Sequence, residues 1–216
     1  AVGFWYITRP DTMNNNSGSA ETTNHTVGAG NKGVELIEYG DFQCPACGRF
    51  YPIIKQVKEK YGDDLKFTFR HFPLDSIHPN ARAAHRAAEA AGLQGKFFEM
   101  HDKLYEGQQL WTSESNPYDT LRGYATELGL DMTKFDTDYK SEVVNRAINN
   151  DMKAGQALKA ASTPTFVLNG TKLDDETMQT VRFTEGLDIA VEDFSKIIDA
   201  EIAKKKKIPL KFLENI

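Results

Sequence analysis

The chain has 216 residues, 40% of them hydrophobic and 11% aromatic, which is enough to bury one sizeable core, or one core and a subdomain. A formal net charge of −5 and a pI near 5.6 argue against a general nucleic-acid binder, which would show a basic stripe.

Residues 1–7 are apolar, and 9–26 are polar, with Pro10, Asn14, Asn15, Asn16 and a Ser17-Gly18-Ser19 run. This is the pattern of a linker hanging from something apolar. Seven residues cannot span a bilayer, so the segment reads as the cut end of a transmembrane anchor or signal region, or as a short strand. Residues 34–39 then read as a strand, with Val34, Leu36 and Glu38 on one face. An acid on that inward face should have a raised pKa.

The only two cysteines, Cys44 and Cys47, fall where this strand pattern gives way to helical spacing at Phe50, Ile54, Val57 and Tyr61. Pro45 suits the first helical position, because its φ is already helical and its missing N–H is not needed there. Cys44 is therefore the N-cap. Unpaired N–H groups and the helix dipole favour an anion at that point, which makes Cys44 the candidate nucleophile of a dithiol/disulfide centre and Cys47 the resolving thiol. Two other readings stand beside this one. The pair could be half of a zinc site completed by His71, His78, His85 or His101, or a structural disulfide, though the loop it closes is too small to constrain much chain.

Residues 65–72 alternate as a second strand, so strand, helix and strand form a right-handed parallel crossover. From Pro79 the pattern is helical: an alanine-rich segment over 83–91, then 96–105, 118–128, and a longer one carrying Val144, Ile148, Met152, Gly155 and Leu158. Gly92, Gly107 and Gly129 mark breaks. Strand character resumes at 165–168, turns at Asn169-Gly170, and returns at 180–183. A final helix covers about 189–205, and lysines 204–207 read as its solvated end, complementing the dipole, in preference to a membrane patch.

Four stretches carry a resemblance: Glu38-Tyr39-Gly40-Asp41-Phe42-Gln43-Cys44-Pro45-Ala46-Cys47, Phe69-Arg70-His71-Phe72-Pro73-Leu74, His78-Pro79-Asn80-Ala81 and Ser162-Thr163-Pro164-Thr165-Phe166. Together they resemble the DsbA-like thiol:disulfide oxidoreductases of bacterial cell envelopes, especially the membrane-tethered or lipoprotein branch. The expected fold is α/β and thioredoxin-like, with an inserted helical subdomain at about 76–160. That insertion lies inside a domain spanning 33–205, flanked by an N-terminal tail or linker (1–32) and a C-terminal tail (206–216).

The resemblance implies a cis bond before Pro164, beside the cysteines, with the Thr163 backbone offered to an extended substrate segment. It implies that Glu38 relays a proton to or from Cys47; the alternative is a strand-end glutamate with a structural partner. His71 and His78 read as scaffold. The implied activity is donation of disulfides to reduced exported proteins, outside the cytoplasm, with reoxidation by a quinone-linked membrane partner. No cofactor, metal or nucleic acid is implied, and a monomer is expected. Ala46 stands where the strongly oxidising relative has a histidine, which leaves open a reductase or isomerase direction. A peptide-binding or chaperone-like module using the groove around Thr163 and Pro164 is the further alternative.

Overall fold

In the computed structural model, which describes residues 21–206, five strands form one sheet in the order β1-β3-β2-β4-β5. They are β1 (His25–Val27), β2 (Val34–Gly40), β3 (Leu65–His71), β4 (Thr165–Leu168) and β5 (Thr171–Lys172). The central pair β2 and β3 is parallel, joined by the crossover helix α1 (Pro45–Tyr61), and every other pairing is antiparallel. Residues 1–7 and Lys207 lie outside the described residues.

Alternation along β2 sends Val34, Leu36 and Glu38 to one face and Ile37 and Tyr39 to the other. The first face meets α1 and the last helix, α9 (Leu187–Lys206), around the rings of Phe50, Phe166 and Phe194. Fully burying each such ring stabilises the fold by roughly 1.5–3 kcal/mol. Between β3 and β4 the helices are α2 (Ala81–Gly92), α3 (Phe97–Glu106), α4 (Gln108–Trp111), α5 (Tyr118–Glu127), α6 (Met132–Tyr139) and α7 (Glu142–Ala157). Buried alanines 84, 87, 88 and 91 let α2 sit close among its helical neighbours. Asp131 and Ser141 cap α6 and α7 by accepting from Lys134 N and Val144 N.

Helix α7 crosses the second sheet face so closely that a Cβ on Gly155 would lie 2.7 Å from the Phe72 ring and 2.9 Å from that of Tyr39. Alanine is a better helix former than glycine by ~0.8–1.0 kcal/mol, but overpacking costs about 1–3 kcal/mol. Gly155→Ala should therefore lower the thermal midpoint. Gly123→Ala, inside α5 with open space around its Cβ, should raise it.

Two expectations need correction. The return strand is β5, not residues 180–183: Asn169 and Gly170 both have positive φ (47° and 80°), a two-residue hairpin that brings the partner strand back at once. Residues 180–183 instead close the short helix α8 (Asp175–Gln179) and enter a 3₁₀ turn, where Phe183 packs edge-on against Phe50. The second correction concerns the assumed linker. Its residues 25–27 form β1, in register with Phe69, Thr68 and Phe67.

Candidate active site

Cys44 adopts extended N-cap geometry (φ −67°, ψ 122°) before Pro45, as the sequence requires, and Cys47 lies fully buried in the first turn of α1. Both are free thiols. The Cys44 sulfur is the exposed partner only in a relative sense, since the residue is 7% accessible.

Its thiol pKa is pulled down to about 5, chiefly because the Cys47 thiol donates a hydrogen bond to it. Burial opposes this, and Thr163 and the N–H groups of Cys47 and Ala46 assist it. The Cys44 side chain forms no ideal capping hydrogen bond, so the N–H contribution is the lesser one. Thr163 presents two groups with opposite effects. Its carbonyl, 3.3 Å from the sulfur, accepts from a thiol and repels a thiolate; its hydroxyl is buried with no hydrogen-bond partner among the described residues, and its nearby O–H dipole favours the thiolate. The Thr163-Pro164 bond is cis.

Cys47 behaves in the opposite way. Burial first, then its hydrogen bond to Cys44 and the negative charge of Glu38, push its pKa well above the ordinary thiol value. Glu38 is 3% exposed, and burial raises its carboxyl to about 8, against a lowering pull from the Lys58 ammonium. The structure thus brings Cys44, Cys47, Thr163 and Glu38 into one electrostatic unit. In it one sulfur is ionised, the other protonated, and a carboxyl is poised near neutrality behind them.

Three further residues hold this unit in place. The Asp41 backbone N–H donates to Cys47 Sγ at 3.5 Å, while the carboxylate accepts from Gln43 N and Leu74 N and meets His78 Nδ1 at 2.6 Å. Gln108, from α4, donates to the carbonyls of Phe42 (2.7 Å) and Cys44 (3.0 Å). That amide passes where a Cβ on residue 48 would sit, 2.3 Å from Gln108 Oε1, which accounts for Gly48. Asn80 donates its backbone N–H to Gln43 Oε1 and its side chain to the Glu114 carbonyl. Asp41 and Asn80 lie within the motif stretches, but only tertiary contacts reveal what they do.

A thioredoxin family model matches residues 20–200. The chain belongs to the thioredoxin family. It is 38% identical over 151 residues to the Na(+)/H(+) antiporter NhaA 1 of Mycobacterium sp. (strain KMS), and 37% identical over 148 residues to that of Salinispora arenicola. The match covers 68% of this chain but spans only 24% and 22% of those two proteins. Among solved structures, oxidised BdbD from Bacillus subtilis is similar at a TM-score of 0.67 and 19% identity, covering 86% of this chain and 97% of that one. The α-DsbA1 protein of Wolbachia pipientis is similar at 0.69 and 20%, covering 87% and 94%.

The fold of this thioredoxin-family chain is therefore a mixed α/β thioredoxin-like core with a multi-helix insertion, structurally close to DsbA-like oxidoreductases. Its Cys44–Cys47 pair stands at the start of α1 with both thiols free, spaced so that the two sulfurs lie in the same helical turn. Among the described residues, no helix is long and apolar enough to cross a membrane.

Proposed function

We propose that this protein is a thiol:disulfide oxidoreductase that donates its Cys44–Cys47 disulfide to reduced exported proteins. One observation carries the reading: the Cys44 thiolate is stabilised to a pKa of about 5 while Cys47 behind it stays protonated. A substrate thiolate attacks Cys44 Sγ, the disulfide breaks, and Cys47 leaves with the electron pair. The Glu38 carboxyl, raised to about 8, supplies the proton that Cys47 takes up. A second substrate thiolate then attacks the substrate sulfur of the mixed disulfide and releases the Cys44 thiolate. The substrate dithiol has lost two electrons, the enzyme has gained them, and the second substrate proton goes to solvent.

Thr163, whose carbonyl already reaches the Cys44 sulfur, is placed to position the incoming extended segment across the cis-proline loop at Pro164. Reoxidation falls to a quinone-linked membrane partner. A place outside the cytoplasm, working as a monomer at a membrane face, fits the DsbA-like neighbours and the antiporter relatives that carry a matching segment. Antiport itself is not carried over, since the match leaves most of those proteins uncovered.

The direction is set by the redox potential. Cys-X-X-Cys nucleophiles range from a pKa of about 7 in a reducing member of the fold to about 3.5 in a strong oxidant, and about 5 lies between them. Equilibration with glutathione should give a potential above about −200 mV, whereas a value near −270 mV would reassign the protein as a reductase.

A further inference from the structure

We propose that His25, His71 and Glu89 form a binding site for a divalent transition-metal ion of the zinc class, separate from the cysteine pair. The three side chains come from β1, β3 and α2, and one nitrogen or oxygen from each lies within 4.8 Å of the others. Both imidazoles aim Nε2 at the same carboxylate oxygen, Glu89 Oε2, at 2.6 Å from His25 and 2.9 Å from His71. His71 is fully buried, and Glu89 is 7% exposed.

The proton count around His71 favours a cation. Its Nδ1 lies 2.7 Å from His85 Nδ1, and that contact holds one proton between the two nitrogens. If His85 supplies the proton, a neutral His85 is left with a bare Nε2 lone pair. That atom has no hydrogen-bond partner among the described residues and faces Asp41 Oδ1 at 3.9 Å, so a buried acceptor would look at a carboxylate. If His71 supplies it, a neutral His71 turns its own bare Nε2 toward Glu89. A second proton on His71, paired with the Glu89 carboxylate, or a metal ion in that proton's place removes the conflict. His71 Nε2 then binds the ion, His71 Nδ1–H donates to His85 Nδ1, and His85 Nε2–H faces Asp41. A ligating histidine whose other nitrogen is fixed by an outer partner is the usual arrangement around bound metals.

Two nitrogens and one carboxylate oxygen are a borderline donor set that suits Zn²⁺, Co²⁺ or Ni²⁺, whereas Ca²⁺ and Mg²⁺ prefer oxygen alone. Bonds of about 2.0–2.2 Å in a tetrahedral shell need the donors roughly 0.4–1 Å further apart than their present hydrogen-bond lengths. His25, on a three-residue edge strand, and the flexible Glu89 side chain can supply that movement. Glu89 lines a cleft of about 280 Å³ and His25 one of about 210 Å³, so water can reach the remaining position. Bound there, the ion ties β1 to the sheet and to α2.

The test uses tag-free protein in its disulfide form, so that neither sulfur can bind metal, stripped with chelator and titrated with Zn²⁺ and with Co²⁺. The expected result is one equivalent bound at micromolar free metal, a visible Co²⁺ spectrum without a thiolate band, and a rise in thermal midpoint. His25→Gln and Glu89→Gln should each weaken binding at least about tenfold, the lower end of what even outer-shell losses cause, and His78→Gln should not. X-ray absorption on the zinc-loaded native protein should show imidazole and oxygen neighbours and no sulfur. Lack of uptake by the native protein would overturn the proposal, as would binding unchanged in both variants or a sulfur shell. If a variant fails to fold, native uptake and the absorption spectrum still decide.

Discussion

Titrated from acid to alkaline pH, the reduced protein shows one thiolate with a midpoint near 5, absent in Cys44→Ser and read by ultraviolet absorbance or alkylation. Cys44→Ser should also lose disulfide exchange altogether. Cys47→Ser should accumulate mixed disulfides with substrate, because the Cys44–substrate bond then has no internal thiol to resolve it. A midpoint near the ordinary thiol value would remove the basis for assigning Cys44 its role.

The low pKa has an asymmetric kinetic effect. Lowering a thiol from 9 to about 5 raises its ionised fraction at neutral pH by roughly 100-fold, while intrinsic nucleophilicity falls by roughly 40–100-fold at a Brønsted slope of ~0.4–0.5. As an attacking group Cys44 gains almost nothing. As a leaving group it gains at every pH, and leaving is what it does when oxidised substrate departs. The same shift sets a stability difference. The ionised Cys44 stabilises the reduced fold fully above pH 9, partly at pH 7, and not at all once pH falls through about 5. Reduced and disulfide forms compared by denaturation should therefore diverge as pH rises.

Glu38→Gln should act with the opposite sign. A buried carboxyl with its pKa raised from 4.5 to about 8 costs stability as pH rises through that window, because the unfolded chain ionises it freely. Each tenfold change in ionisation is worth about 1.4 kcal/mol, so the full cost above pH 8 is roughly 2–5 kcal/mol. The variant should be relatively more stable in alkaline than in acid buffer by an amount of that order. A pH-independent difference would show that Glu38 is not held protonated. Exchange should slow as well, by about 100-fold or more at the step where Cys47 changes protonation, since that step has lost its proton donor.

The parts of the site that lie in one local pattern were legible in the chain. Cys44 at a helix start and Pro45 at the first helical position follow from short-range backbone rules. The inward side of Glu38 follows from strand alternation, and the placement of Thr163 and Pro164 beside the cysteines came from resemblance. What escaped depends on partners distant in sequence. β1 has three residues and no apolar alternation; it is held by Thr26 Oγ1 against Thr68 Oγ1 at 2.9 Å and by His25 on Glu89, contacts invisible before the sheet exists. Asp41 stood inside a quoted motif, yet its work lies in meeting Leu74 and His78 across a loop. The misplaced return strand shows the limit of short alternation, where four residues matched a strand but two positive φ values upstream had already turned the chain.

Gln108 is the only side chain hydrogen-bonded to the Cys44 carbonyl among the described residues, and it belongs to the inserted helices and not to the sheet. Excising the insertion would therefore not leave the sulfur-bearing turn untouched: the Phe42 carbonyl would lose its side-chain donor and the Cys44 carbonyl would keep only the Gly48 N–H. Reactivity and accessory subdomain are mechanically one part, so a ligand that shifts α4 would be felt at the nucleophile without touching it.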